Sequence, residues 1–189
     1  MTQDNKACLV AGELPVASQL TFITPNTKVR LITAHDQALY LELYTDANIM
    51  RFIGKLYTKE RVTQSFFHAL KLTALSPWER LFFVIESNCR LQSFGLMGLT
   101  NTGDAGVEFG IMLRQQVQGK GLASEVLQQC IARLFALGVS KVWLQLHPDN
   151  AAAIAMAQAA AMTKLPGSMA ENQQIWFIEQ QHDKNCRRH

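Results

Sequence analysis

The segment that most constrains the fold lies at residues 108–123, where an alternating apolar run ends at a turn with two glycines and a helix begins at once. A strand, a glycine-bearing turn and a helix N-terminus together favour anion binding, because unpaired backbone N–H groups point out of the first helical turn. Glycine lets the backbone approach the anion closely. Apolar residues then recur at the spacing of one buried helix face: Leu122, Ala123, Val126, Leu127, Cys130, Ile131, Leu134 and Phe135.

The turn departs from two common phosphate-binding loops. A Walker-type loop needs Ser or Thr after its lysine, whereas Lys120 is followed by Gly121, and a dinucleotide fingerprint needs a glycine where Ser124 stands. The remaining pattern, Gln116-x-x-Gly119-x-Gly121, resembles the Gln/Arg-x-x-Gly-x-Gly/Ala signature of the GNAT N-acetyltransferases. In that family the loop amides hold the pyrophosphate of acetyl-CoA. A Gly-x-Gly pair is also found where a strand simply turns into a helix.

The surrounding sequence supports the resemblance over residues 24 to 180. Residues 141–147 alternate like a strand, and Asn150 opens an alanine-rich helix, as an Asn does in the family, where it contacts the pantetheine arm. Residues 26–36 and 45–54 resemble the opening of the ribosomal-protein alanine acetyltransferase branch, which shows a Leu-x-Leu-Arg strand, a following Asp and an Asp-x-x-Val-Met-Arg stretch.

The element pattern agrees with the fold that this resemblance implies. Strands are predicted at 29–32, 81–86, 91–100, 107–113, 141–147 and 174–179, with a turn at Pro166-Gly167. We expect an α/β (α+β) fold of the GNAT type, with a mixed, mostly antiparallel sheet splayed between its fourth and fifth strands and about four flanking helices. Residues 1–24 are expected to be an irregular arm, 25–182 a single domain and 183–189 a frayed tail.

The resemblance also implies how the cosubstrate acetyl-CoA is bound. The splayed strands would bind the pantetheine arm as an added strand would, and the amides of roughly Val117 to Ala123 would bind the pyrophosphate. The implied CoA-binding residues are Met112, Leu113, Gln116, Val117, Gln118, Gly119, Lys120, Gly121, Leu122, Ala123 and Asn150.

Acetyl transfer to an amine needs a base, and two residues are candidates. Glu108 occupies a position where several family members have a proposed base, although it could equally be an outward carboxylate on an alternating strand. His147 has a suitable intrinsic pKa but reads more simply as a solvent-facing residue beside a proline. The Ser or Tyr that can protonate the CoA thiolate in related branches is replaced by Ala153 and Ala157. All three tyrosines lie in the N-terminal third, so no tyrosine from the C-terminal half can replace it.

Two functions follow from these residues. The first is an acetyl-CoA-dependent N-acyltransferase acting on a small-molecule or protein N-terminal amine, as a monomer or homodimer. The second is a catalytically weak CoA-binding module that senses or regulates. Residues 48–57 and Trp78 are the expected acceptor wall, with core packing as the alternative for Phe52, Ile53 and Trp78.

Composition excludes several other classes. The net charge of +3 is too small to indicate nucleic acid, and no apolar run approaches the roughly 18 residues that cross a bilayer. The cysteines at 8, 89, 130 and 186 form no metal-ligand or disulfide pattern, so no metal is expected and Cys130 reads as a small core residue. The N-terminus does not resemble a signal peptide, which suggests a cytoplasmic enzyme.

Overall fold

The computed structural model describes residues 14–89, 92–170 and 173–181. Its centre is one eight-stranded sheet, in which every neighbouring pair is antiparallel except β5 and β6. The spatial order is β1-β2-β3-β4-β5-β6-β8-β7. The strands are β1 Phe22–Ile23, β2 Thr27–Leu31, β3 Arg80–Ser87, β4 Ser93–Asn101, β5 Val107–Leu113, β6 Lys141–Leu146, β7 Thr163–Ala170 and β8 Gln173–Glu179.

Five α-helices flank the sheet in the described part of the chain, one more than the sequence suggested, because a single turn follows the first helix. They are α1 Gln37–Thr45, α2 Ala47–Met50, α3 Lys59–Thr73, α4 Leu122–Ala136 and α5 Ala151–Ala159. Asp46 starts the short α2, since its carboxylate accepts hydrogen bonds from the N–H groups of Asn48 and Ile49. Thr58 caps α3 in the same way.

The two faces of the sheet bury separate cores. Alternate residues of β3 and β4, such as Phe82, Val84 and Leu96, pack with the apolar faces of α1 and α3. Their neighbours point to the opposite face, where Phe83 and Met97 pack with α4 and α5. Cys130 lies in this second core, as its position on the apolar helix face predicted, and burial raises the pKa of its thiol to about 12.

The parallel pair β5–β6 is joined over a short length only. Val107 pairs with Val142 and Glu108 with Trp143, after which the two strands diverge. These are the fourth and fifth strands of the sequence prediction, so the predicted splay is confirmed. The gap opens at the carboxyl ends of both strands, directly before the glycine-bearing loop and before α5.

Two segments differ from the expectations. Within the described part of the expected irregular arm, residues 17–20 form a 3-10 helix and Phe22–Ile23 pair with β2. The turn expected at Pro166-Gly167 lies inside β7, whose register with β8 shifts between Lys164 and Met169. Because β7 is an edge strand, a proline without an N–H is tolerated there.

The junction between β2 and α1 is fixed by a charged cluster. Thr33 and Asp36 form a capping box, with the Asp36 carboxylate accepting from the Thr33 N–H at 2.8 Å. The Arg30 guanidinium donates to both oxygens of the same carboxylate at 2.8 Å. Burial alone would raise the pKa of Asp36, but these hydrogen bonds lower it overall. The start of the first helix is thereby held against β2.

Candidate active site

The strand register brings a row of polar residues together on the α1–α3 face of the sheet. Arg80 pairs with Thr100, and Thr100 pairs with Glu108 on β5. The next row on the same face is Phe82, Gly98 and Gly110, two of which have no side chain. The sheet surface beside Glu108 is therefore open.

A cavity of about 400 Å³ lies over this surface and extends to the ends of β5 and β6. It is lined by residues of α1, β3–β6, α5, β8 and the loops after α2 and β6. The lining residues are Tyr44, Phe52, Ile53, Arg80, Phe82, Leu96, Met97, Gly98, Thr100, Glu108, Phe109, Gly110, Ile111, Met112, Leu144, Gln145, Leu146, His147, Asn150, Ala153, Met156 and Gln173.

Glu108 is a half-buried carboxylate that lines the cavity, at the point where β5 and β6 stop pairing. Burial raises the pKa of Glu108 above its ordinary value, and the nearby positive charge of Arg80 opposes part of that rise. Glu108 forms no hydrogen bond or ion pair with side chains in the described residues. A carboxylate with a raised pKa and free lone pairs can accept a proton from a bound group.

His147 also lines the cavity, at the end of β6. Its Nδ1 accepts a hydrogen bond from the Asp149 N–H at 3.2 Å, and its ring packs on Phe52 with 5.3 Å between ring centres. In the neutral ring the proton is then assigned to Nε2, which makes this nitrogen a donor. The geometry supports His147 as a hydrogen-bond donor to the cavity more than as a base.

The loop between β5 and α4 presents unpaired backbone N–H groups. Gly119 and Gly121 both have positive φ, at 73° and 78°, which turns the chain into α4. The first helical hydrogen bond of α4 runs from the Glu125 N–H to the Gly121 carbonyl at 3.1 Å, so the amides of residues 122–124 precede the helical ladder. The amides of residues 119–121 likewise donate no hydrogen bond to described residues. This end of the loop is a concentrated set of free donors.

At the beginning of the same loop, the backbone N–H groups form hydrogen bonds within the loop. The Val117 N–H donates to the Arg114 carbonyl and the Gln118 N–H to the Gln115 carbonyl, both at 3.1 Å. These two amides, which the sequence analysis assigned to the pyrophosphate, are not free to bind it. Val117 instead anchors the loop in the core, where it is buried. The available donors are therefore shifted to residues 119–124.

The side-chain oxygen of Asn150 accepts a hydrogen bond, whereas its side-chain nitrogen has no partner among the described residues. Its Oδ1 accepts from the Ala153 N–H at 3.1 Å and so caps α5. Its Nδ2 donates to no group among the described residues, and Asn150 lines the cavity. The two roles weighed for this residue, helix cap and ligand contact, are thus geometrically compatible.

The two alanines in place of a general acid occupy different environments. Ala153 lines the cavity, whereas Ala157 is completely buried in the core beneath α5. A hydroxyl at position 153 would therefore face the cavity, and a tyrosine at 157 would not fit without displacing core side chains.

The structure places only part of the expected acceptor wall at the cavity. From residues 48–57, Phe52 and Ile53 line the cavity. Trp78 does not: it is 3% exposed, packs in the core of the α4–α5 face and donates its Nε1–H to the Pro15 carbonyl at 2.7 Å. Its apolar ring and single donor are both satisfied away from the cavity, so core packing is its role.

Sequence reasoning missed five polar residues that line the cavity, which are Tyr44, Arg80, Thr100, Gln145 and Gln173. Tyr44 enters the cavity from α1 and stacks on Tyr40, with 4.4 Å between ring centres. Burial raises the pKa of Tyr44, and the charge of Arg80 opposes that rise. The sequence excluded a tyrosine from the C-terminal half only, and Tyr44 reaches the cavity from the N-terminal third. A signal was present in the positions of Arg80 and Thr100, which are polar residues near the ends of strands with apolar middles.

The fold and this site agree with one protein family. Residues 27–163 match the family described as "Acetyltransferase (GNAT) domain", a span that includes strands β2 to β6, the loop and α5. This chain belongs to the GNAT acetyltransferase family. It is accordingly an acetyltransferase domain, whose sheet places the divergence of two parallel strands beside the cavity.

Solved GNAT structures share the fold at low sequence identity. An acetyltransferase from Agrobacterium tumefaciens has a TM-score of 0.72 and 18% identity, covering 85% of this chain and 94% of that one. Spermidine N-acetyltransferase from Vibrio cholerae, solved with CoA and spermine, has a TM-score of 0.68 and 19% identity, covering 82% and 95%. Ribosomal-protein-S5-alanine acetyltransferase from Vibrio fischeri has a TM-score of 0.67 and 16% identity, covering 84% and 96%. No curated protein sequence matches this chain significantly.

No helix in the described ranges of this GNAT domain is both long and apolar enough to cross a membrane.

Proposed function

We propose that this GNAT domain transfers the acetyl group of acetyl-CoA to a primary amine, directly and within a ternary complex. The observation that carries the proposal is the position of Glu108, a half-buried carboxylate on the cavity side of the point where β5 and β6 diverge. Free loop amides at residues 119–124 and the free Nδ2 of Asn150 lie on the elements that follow these two strands. The proposed proton acceptor and pantetheine contact thus line one cavity, and the proposed anion donors lie on the loop that follows β5.

The hydrogen-bond donors of the site suit two parts of CoA, the pyrophosphate and the pantetheine arm. The loop amides and the positive end of the α4 dipole favour a pyrophosphate. The backbone of β5 and β6 beyond their last pair can hydrogen-bond a pantetheine arm as an added strand does, and the Asn150 Nδ2–H can donate to one of its carbonyls. Met112 and Leu113 end the strand on one side of this gap.

Glu108 has the chemical task of removing a proton from the incoming amine. An alkyl ammonium has a pKa near 10.4 and an α-ammonium near 8, at about the values of lysine and a chain terminus, so a base or a water leading to one is needed at neutral pH. Bound acetyl-CoA supplies an activated acyl group with a thiolate that can leave. His147 can donate from Nε2 toward a group in the cavity. Since a thiol has a pKa of about 8.5, the leaving group does not require the hydroxyl that Ala153 lacks.

Direct transfer is favoured because the described lining of the cavity offers no thiol, the most nucleophilic of the side chains that form covalent acyl-enzymes. Among the described residues that line it there is no Cys, Ser or Lys side chain. Initial rates measured while varying acetyl-CoA and a primary amine should therefore give intersecting double-reciprocal lines. Parallel lines, or one equivalent of CoA released before amine is added, would contradict direct transfer.

Membership of the ribosomal-protein alanine acetyltransferase branch is part of the same proposal. The residue pattern at 26–36 and 45–54 and the shared fold with the S5 alanine enzyme support it. A protein N-terminal amine is then one acceptor to test.

The second candidate function is a catalytically weak CoA-binding module, favoured by the methyl group of Ala153 where related branches have a hydroxyl. It predicts CoA binding with no acetylated product across a panel of primary amines. Ala153→Ser separates the two functions, since a large gain in turnover would show that a missing acid limits the wild-type enzyme. A change of less than a few-fold is expected if amine deprotonation limits the rate.

A further inference from the structure

Arg80 is a charged side chain of the cavity with no assigned partner. It begins β3, lines the cavity and is exposed, and its guanidinium lies over the Phe82 ring at 4.9 Å from the centre. Within the described part of the chain it forms no ion pair and no side-chain hydrogen bond. Stacking on an aromatic ring holds the planar guanidinium in place while leaving its N–H donors free.

The position of Arg80 relative to Glu108 suggests two recognition points for one molecule. The two residues share a face of the sheet and are separated by Thr100, which is paired with both. Two strand spacings place their backbones about 10 Å apart. The Arg80 charge acts on the Glu108 carboxyl, yet the two groups are not in contact as an ion pair within 4.0 Å.

The surface between and beside these residues is open to a ligand. Gly98 and Gly110 are paired across β4 and β5 in the next row. A Cβ placed on Gly110 would meet no atom within 4 Å, and one on Gly98 would come only within 3.9 Å of the Leu81 carbonyl oxygen. The cavity floor therefore leaves room for a small acceptor to lie against the backbone, close to both charges.

We propose that the acceptor carries a carboxylate a few bonds from its amine, and that Arg80 binds this carboxylate while the amine lies beside Glu108. The inference rests on the proposed N-acetyltransferase function and adds the chemical class of the acceptor. A guanidinium binds a carboxylate through two parallel hydrogen bonds, which also orients the molecule. A free amino acid and a peptide N-terminus followed by an acidic residue both supply this chemistry.

The charge balance of the cavity argues against a polycationic acceptor. In the described lining, Glu108 is the one carboxylate, and it is accompanied by the positive Arg80. A polyamine such as the spermine bound to the Vibrio cholerae enzyme would carry additional positive charges toward Arg80 without a carboxylate to pair with them.

Matched acceptor pairs test the proposal. β-Alanine and 4-aminobutyrate would each be compared with the corresponding carboxamide, and the peptide Ala-Asp-amide with Ala-Asn-amide, as kcat/KM at fixed acetyl-CoA. The ratio of carboxylate to amide is measured for wild type, Arg80→Met and Arg80→Lys. Comparing this carboxylate-to-amide ratio between variants cancels the difference in amine pKa within each pair. It also cancels any effect of the substitution on Glu108 that acts equally on both members of a pair.

We expect Arg80→Met to reduce the carboxylate preference roughly 10- to 100-fold, the scale of hydrogen bonds to a charged group, and Arg80→Lys to retain part of it. Arg61→Met is the matched control, because that guanidinium also lies over a ring, that of Tyr57 at 4.7 Å, but outside the cavity lining. Its ratio should equal that of wild type.

The outcomes separate this inference from the proposed function. An effect confined to the β-alanine and 4-aminobutyrate pairs would identify a free amino acid as the acceptor. An effect confined to the peptide pair would identify a peptide with an acidic second residue as the acceptor. Acetylation with an unchanged ratio in both Arg80 variants would overturn the anionic acceptor alone. If wild type acetylated none of the amines, the proposed function would fail and this inference with it.

Discussion

Glu108 illustrates how one side chain can be unfavourable for folding and useful for chemistry. Its carboxylate is half-buried at the cavity, where no hydrogen bond in the described residues stabilises the charge, and its pKa is raised by that burial. A carboxylate with a raised pKa is a stronger base than an ordinary one once it is ionised. The same burial makes the ionised form costly for the folded state.

Glu108→Gln should lower turnover at neutral pH by roughly 10²–10⁴-fold, the usual contribution of a general base. In wild type the rate should fall on acidification at a higher pH than the ordinary glutamate value of about 4.3, because the base must be ionised. Stopped assays of kcat against pH measure both effects. Glu179→Gln, which removes a carboxylate paired with Lys141 on the surface, serves as the control and should keep the wild-type rate.

The same substitution should change stability in the opposite direction. A carboxyl whose folded pKa is raised stabilises the fold fully below its unfolded pKa and loses that contribution as pH rises through the folded pKa. Glu108→Gln should thus have a higher Tm than wild type at pH 7, with no difference below about pH 4. A wild-type rate together with an unchanged Tm in Glu108→Gln would remove Glu108 from the mechanism.

At the scale of elements, local sequence patterns predicted the strands and the splay between β5 and β6. The identity of the residues beside Glu108 depended on pairing between strands that are far apart in the sequence. The alternation of residues 107–113 and 141–147 and the glycines at 119 and 121 were sufficient to locate the loop and the diverging strands. Which residue of β3 lies beside Glu108 depends on the register of two strand pairs, and no local pattern encodes a register. Arg80 therefore entered the site only through the structure.

Trp78 was misplaced for a related reason. Its aromatic ring suits either a ligand wall or a core, and the decision depends on a partner 63 residues away, the Pro15 carbonyl. The amides of Val117 and Gln118 failed as anion donors because a 3-10 turn, which the sequence did not reveal, uses them first. In both cases hydrogen-bond partners, not residue type, decided the role.

The cap of α5 allows the two roles of Asn150 to be separated experimentally. Asn150→Asp retains an oxygen for the Ala153 N–H but removes the Nδ2 donor, whereas Asn150→Ala removes both. We expect Asn150→Ala to lose about 0.5–2 kcal/mol of stability and Asn150→Asp to lose little. Both should weaken CoA binding by about 1–3 kcal/mol, measured by calorimetry. Full CoA affinity in Asn150→Asp would leave Asn150 with the cap alone.

At the scale of the whole molecule, the sheet separates two hydrophobic cores. The site lies at the gap where β5 and β6 diverge, and elements from both cores reach it. The α1–α3 side supplies Tyr44, Phe52 and the row beginning at Arg80, while the α4–α5 side supplies the loop and Asn150. The Phe52 ring on His147 connects the two sides across the cavity. A ligand bound in the gap would contact elements of both cores, so its binding should stabilise the fold as a unit.

This linkage gives a global test of the loop. CoA at 100 times its Kd should add about 2.7 kcal/mol to the stability of wild type and raise Tm accordingly. In Gly119→Ala/Gly121→Ala, each Cβ would stand in open space beside the free amides, at φ of 73° and 78°. The variant should lose stability from the left-handed backbone, roughly 1–2 kcal/mol per residue, and should also lose most of the CoA-induced shift.

Gly138→Ala is the matched control that isolates the cofactor effect. Gly138 follows α4 with φ of 86°, and a Cβ there also meets no atom within 4 Å, so the backbone strain is of the same kind without any contact to the loop. Its Tm should fall while the shift on adding CoA stays equal to that of wild type, as differential scanning fluorimetry over a CoA titration would show. If the loop variant kept the full shift as well, CoA would have to bind away from residues 119–124, because the variant would then bind CoA normally despite the added Cβ atoms beside those amides.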